Sequence, residues 1–70
     1  MKFSDKVYTL RKKKGLTQTE LAKLTNVTQA AIQGYETGRV KPFRNTQIQL
    51  AKALNIKVDD LMNDEKSIEA

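Results

Sequence analysis

Apolar residues recur at helical spacing along most of the chain, broken by short polar turns. Phe3, Val7 and Leu10 fall at i, i+4 and i+7, one stripe of a first helix that starts near Lys2 or Ser4 and stops at Gly15. Leu16 enters the core ahead of a second helix, Thr17 to Leu24, in which Thr17 is the N-cap and Glu20, three residues on, completes a capping box. Thr28 caps a third helix that runs to Tyr35 or Glu36, with Gly38 as its left-handed stop. Between helices two and three, Thr25-Asn26-Val27 leaves room only for a sharp turn, and Asn26 is a residue type that tolerates the left-handed backbone there. Leu50, Ala51 and Leu54 mark a fourth helix, Thr46 to Leu54, capped by Asn45 and stopped by Asn55, with Gln47 interrupting its apolar side. Ile56 and Val58 bracket a short fifth helix from Asp59 to Met62, whose two aspartates suit a helix N-terminus better than a paired-carboxylate site. Residues 63–70 read as a polar tail, frayed at its end, after a domain of residues 1–62. The class is therefore all-α, five helices in one domain.

Helices two and three, meeting at a steep angle, share Leu21, Ala22, Val27, Ile32 and Tyr35 as a core. This leaves Thr28, Gln29, Ala30, Gln33 and Gly34 as a free face of the third helix, and that face carries no charge. A polar, uncharged helix face in a basic protein is suited to reading base edges in a DNA groove.

Three stretches, LRKKKGLTQTELAKLTNV, IQGYETGRVKP and LAKALNIKVDDLM, resemble in register the phage repressor and Cro proteins, the Xre-type helix-turn-helix family. The likeness covers roughly residues 3–62. It implies a compact five-helix bundle of the lambda-repressor-like type, with helices two and three as the helix-turn-helix. Asn26 replaces the family's usual turn glycine, and Gly34 stands where a long polar side chain is common. The resemblance implies that the loop Arg39 to Arg44 lies along the sugar-phosphate backbone. It also implies that Arg11 and Glu36 meet as a largely buried ion pair, leaving Arg11 partly available to a phosphate.

Composition narrows the chemistry. Seventy residues form one small domain that buries only about 60% of its unfolded surface. The chain has neither Cys nor His, and its two serines, Ser4 and Ser67, lie near the ends, so an enzyme, a metal site or a cofactor is not expected. No stretch is apolar enough to span a membrane, and the N-terminus lacks a signal-peptide core, which predicts a cytoplasmic protein. Charge is unevenly spread: residues 1–44 hold ten basic and three acidic side chains, net +7, and residues 45–70 hold three and five, net −2. Lone lysines usually solvate helix faces, but ten cations beside a helix-turn-helix predict a surface facing a polyanion. The Lys12–Lys14 run also suits a helix C-terminus, and both roles are compatible.

The expected partner is double-stranded DNA. Gln29, Ala30, Gln33 and Gly34 are the candidate base-reading positions; Thr17, Gln18, Thr28, Thr37, Arg39, Lys41 and Arg44 are the candidate backbone contacts. So small a reader implies a homodimer, at least on DNA, acting most simply as a repressor on a palindromic operator, with Ile56, Val58 and Met62 as apolar dimer candidates. Alternatives are a restriction–modification controller, an antitoxin, or a protein-interaction module of the same fold. An RNA-binding role lacks an aromatic stacking platform, because Tyr35 belongs to the core. No small-molecule pocket is suggested.

Overall fold

A computed structural model describes residues 1–68 as five helices: α1 Phe3–Lys13, α2 Gln18–Thr25, α3 Gln29–Thr37, α4 Arg44–Leu54 and α5 Val58–Met62. Local side-chain chemistry explains the sharpest boundaries. The Thr17 hydroxyl accepts from the Glu20 amide at 3.0 Å, and the Glu20 carboxylate accepts from the Thr17 amide at 2.8 Å, closing the capping box at the start of α2. Asn26 ends α2 with φ 58°, and two residues later the Thr28 hydroxyl accepts from the Ala31 amide at 3.1 Å to open α3. Gly38 ends α3 at φ 76°, a conformation that a side chain would strain. Asn55 ends α4 at φ 56°.

The core sits where the five helices meet. Phe3, Val7 and Leu10 of α1, Leu21 and Ala22 of α2, and Ile32 and Tyr35 of α3 are buried, as are Leu50, Ala51 and Leu54 of α4 and Leu61 of α5. Phe3 meets Tyr35 edge-on, ring centroids 6.2 Å apart, which joins the first helix to the third. α2 and α3 pack on each other, α1 crosses behind α3, and α4 closes the core from the side of α2. The result holds the outer side of α3 clear of the bundle.

α2 and α3 each run one residue past the expected end, to Thr25 and Thr37, and two helix starts differ from expectation. α4 begins at Arg44, two residues early, with Phe43 in the cap position and no side-chain cap; Asn45 lies inside the first turn instead of capping it. The Gln47 amide donates to the Pro42 carbonyl at 3.1 Å, so the polar residue that interrupts the apolar side of α4 ties the preceding loop to the helix. α5 likewise starts one residue early, at Val58.

Residues 63–68 are also anchored. The N-terminal ammonium donates to the Asp64 carbonyl and the Phe3 amide to the Asp64 carboxylate, both at 3.0 Å. Lys66 donates to Asp59 at 2.9 Å and Asp60 at 3.1 Å, and Ile68 packs on the core. The Lys66 ammonium holds the Asp59 carboxyl below its ordinary range. Residues 63–68 are thus tied both to the N-terminal end of the chain and to α5; Glu69 and Ala70 of the tail expected to fray lie outside the described residues.

Lys6 joins the same clasp. Its side chain is buried on the apolar stripe of α1, and its Nζ donates to the carbonyls of Asp60 and Asn63, both at 2.6 Å. This cation serves the end of α5 and does not belong to an external basic surface.

Candidate nucleic-acid interface

α3 presents Thr28, Gln29, Ala30 and Gln33 to solvent, an open face without a charge. Gly34 departs from that expectation. It is buried, and a Cβ placed on it would stand 2.7 Å from the Val40 Cγ2 and 3.4 Å from an Arg39 guanidinium nitrogen. The loop that follows α3 folds over this position, so residue 34 is a seat for Val40 and offers no side chain to a ligand.

Behind the open face runs a chain of polar contacts. The Arg11 guanidinium donates to Glu36 through Nε at 2.5 Å and Nη2 at 3.0 Å, and to the Leu16 carbonyl through Nη1 at 2.8 Å. Both side chains of the ion pair are nearly excluded from solvent, at 8% and 5% exposure. The hydrogen bond to Glu36 raises the Arg11 guanidinium above its ordinary value, against the opposing effect of burial. The Tyr8 ring lies 5.4 Å from the guanidinium carbon. With each of its three nitrogens donating, Arg11 is a largely buried strut between α1 and α3, and it borders the open hollow beside the start of α2. Gln18 then donates to Glu36 at 3.0 Å, and Gln29 donates to the Gln18 side-chain oxygen at 2.6 Å. Arg11, Glu36, Gln18 and Gln29 thus link the bundle interior to the exposed face of α3.

The start of α2 borders that face. An open hollow between the end of α1 and the start of α2 is lined by Lys12, Gly15, Thr17, Gln18, Thr19 and Gln29. First-turn amides have no acceptor within their own helix, and those of Gln18 and Thr19 lie at this border. The Thr17 amide and hydroxyl are both engaged with Glu20 in the capping box. On the other side of α3, the Thr37 hydroxyl donates to the Gly34 carbonyl at 3.2 Å, and Arg39, Lys41 and Arg44 are exposed. Pro42 is buried between them and Phe43 is 89% exposed, an aromatic ring among three cations that sequence reasoning left without a role. Lys12, Lys13, Lys14 and Lys23 are exposed as well.

An uncharged helix face flanked by helix-end amides on one side and a basic loop on the other is a surface for a polyanion with readable edges. The profile of the helix-turn-helix family matches residues 7–61. The chain belongs to the Cro/C1-type helix-turn-helix family. Its fold superposes on the P22 c2 repressor, solved in complex with a synthetic operator, with a TM-score of 0.88 at 27% identity over 90% of this chain and 96% of that one. The restriction-modification controller C.AhdI from Aeromonas hydrophila superposes with a TM-score of 0.79 at 32% identity, over 86% and 91% of the two chains. The transcriptional activator BcrR of Enterococcus faecalis is 32% identical over 97% of this helix-turn-helix chain, which spans 33% of BcrR. The family is thus one of helix-turn-helix transcriptional regulators rather than of enzymes. Among the described residues, no helix is long and apolar enough to cross a membrane.

Proposed function

We propose that the chain recognises a specific operator in double-stranded DNA and regulates transcription from it, most simply as a repressor that blocks polymerase by occupancy. The observation that carries this reading is the open, uncharged face of α3, set between the amides of α2 and the cations of the α3–α4 loop. In this reading α3 lies in the major groove. Gln29 pairs with an adenine edge, Ala30 packs on a thymine methyl, and Gln33 reaches the neighbouring base or phosphate. Thr17, Gln18, Thr28, Thr37, Arg39, Lys41 and Arg44 fix the domain on the sugar-phosphate backbone, and Gly34 drops out of the reading set because it is covered by Val40.

A body of 27 × 24 × 20 Å spans only a few base pairs, so useful specificity calls for two copies on a two-fold site, their centres about one helical turn apart. A shallow depression formed by Ile48, Ala51, Ile56 and Val58 between α4 and α5, edged by Lys52, Asn55 and Lys57, supports a homodimer contact away from the DNA face, with Met62 at the end of α5 partly buried against the core. The likeness to C.AhdI favours, as a second reading with the same chemistry, a controller of a restriction–modification operon.

Selection of bound duplexes from a random pool tests the reading. An enriched inverted repeat with half-sites about one turn apart is expected. Enrichment of a single half-site discards the dimer, and binding without any enrichment discards sequence-specific regulation.

A further inference from the structure

Resting on the reading of α3 as the helix that enters the groove, we propose that Arg39, beyond its place on the basic loop, reads a guanine from a cradle that Gly34 leaves on α3. The cradle follows from the backbone. Gly38 turns the chain at φ 76°, and the amides of Arg39 and Val40 donate to the Gly34 carbonyl at 3.0 and 3.3 Å. The loop is thereby folded back on the last turns of α3. A Cβ at position 34 would stand 3.4 Å from Nη2 and 4.0 Å from Cζ of Arg39, so the guanidinium head lies against the helix at this point. Val40 Cγ2, 2.7 Å from the same Cβ position, closes the other side of the cradle. Gly34 follows the exposed Ala30 by four residues, and residues so spaced stand one above the other on one side of a helix. The head of Arg39 is therefore carried by α3, although the residue belongs to the loop.

The chemistry of that head selects the base. Arg39 is exposed, and among the described residues its guanidinium donates to no protein acceptor. Glu36, the one carboxylate of α3, is already held by Arg11 and Gln18. The guanidinium thus keeps its planar fork of N–H donors for a ligand. Two adjacent donors match guanine, whose major-groove edge offers N7 and O6 as acceptors, whereas adenine sets the N6 donor beside N7 and opposes one of them. Gly34 lies five residues, about 7.5 Å, beyond Gln29 along α3. That rise sets the guanine about two base pairs from the base that Gln29 meets. Arg39 is the reading side chain in this arrangement, and Gly34 is its positioning residue.

The test measures wild type, Arg39→Ala, Val40→Ala and the double variant Val40→Ala with Gly34→Ala. Each is titrated with duplexes in which every base pair of the selected half-site is replaced in turn, over a range of salt concentrations. Wild type is expected to prefer guanine to adenine about two base pairs from the Gln29-dependent position. Arg39→Ala should reduce that guanine-to-adenine ratio by about 10- to 100-fold, the scale of one bidentate base contact, and leave the ratios at other positions unmoved. In the double variant the new Cβ is relieved of Val40 but still stands against the guanidinium. Relative to Val40→Ala alone it should lower the same ratio by about 3- to 10-fold, the scale of one hydrogen bond, with the salt slope unchanged because no charge is removed. An Arg39→Ala variant that loses affinity on all duplexes alike and keeps the wild-type ratio is a phosphate contact only; it overturns the inference and leaves the reading of α3 standing. An Arg39-dependent preference for any base other than guanine overturns the inference too. A double variant with the ratio of Val40→Ala overturns the cradle at Gly34. A wild type without preference at any base pair overturns the reading of α3, and the inference with it.

Discussion

Lys6 puts an ammonium beneath the end of α5, where two carbonyls accept from it at 2.6 Å and no solvent reaches it. Lys6→Met keeps the aliphatic volume but orphans both carbonyls, at an expected cost of about 1–3 kcal/mol in denaturant unfolding, with DNA affinity of the folded variant unchanged. A loss of DNA affinity without a loss of stability would return Lys6 to the external basic surface. Its place was legible in part: position 6 falls between Phe3, Val7 and Leu10 on the buried stripe, but charge counting alone assigns it to the rim. Gly34 teaches the complementary lesson. Helix propensity favours Gly34→Ala by about 1 kcal/mol, yet the new Cβ meets Val40 at 2.7 Å. Gly34→Ala is therefore expected to destabilise the wild type and to stabilise a Val40→Ala background by about 1 kcal/mol. Equal effects in the two backgrounds would show that Val40 moves aside freely. No pattern in the sequence announces this contact, because it depends on how the loop after α3 folds back.

The elements whose starts were legible are those whose signal is a side chain bonding its own backbone. Thr17, Glu20 and Thr28 set α2 and α3 in that way, Asn26 turns the backbone between them in the left-handed region, and the helix-turn-helix follows. α4 was not legible at its start, since Phe43 in the cap position provides no polar atom and Asn45 suggests a cap that does not form. The bonds that Asn63 and Asp64 make were not legible for a related reason: their partners, Met1, Phe3 and Lys6, are distant in sequence, and local composition carries no trace of them. Thr17→Ala should cost about 1 kcal/mol of stability through the lost N-cap. The capping box also has a pH signature. Hydrogen bonds from the Thr17 amide and hydroxyl hold the Glu20 carboxyl below its ordinary value of 4.5, so its contribution is complete above that value and fades as pH falls through the lower folded value. Asp59, held below 3.8 by Lys66, adds a loss of the same sign at lower pH. Glu20→Gln is expected to flatten the stability profile just below pH 4.5. An unchanged acid limb would place the acid sensitivity elsewhere.

At the scale of the whole molecule, burial divides the ten basic residues of the first 44 into two groups. Lys6 and Arg11 are internal struts, and the other eight are exposed, Arg39, Lys41 and Arg44 among them in and just after the loop that follows α3. Lys41→Ala and Arg44→Ala should each weaken binding to all duplexes alike and reduce the slope of log affinity against log salt by about one unit. A change confined to one base pair would make either residue a reader of sequence. The fold and the helix-turn-helix were legible in the sequence because capping and periodicity are local; the chain from Arg11 to Gln29 was legible only at its ion pair, because its remaining links join three separate helices. The central claim is that Gln29, at the exposed start of α3, supplies the base discrimination. It is tested most directly by measuring specific and non-specific duplex affinity for wild type and Gln29→Ala at one fixed salt concentration. The expected result is a loss of roughly 10- to 100-fold on the selected site, as for one bidentate base contact, with non-specific affinity unmoved because no charge is removed. An equal loss on both duplexes, or no loss on either, would contradict it.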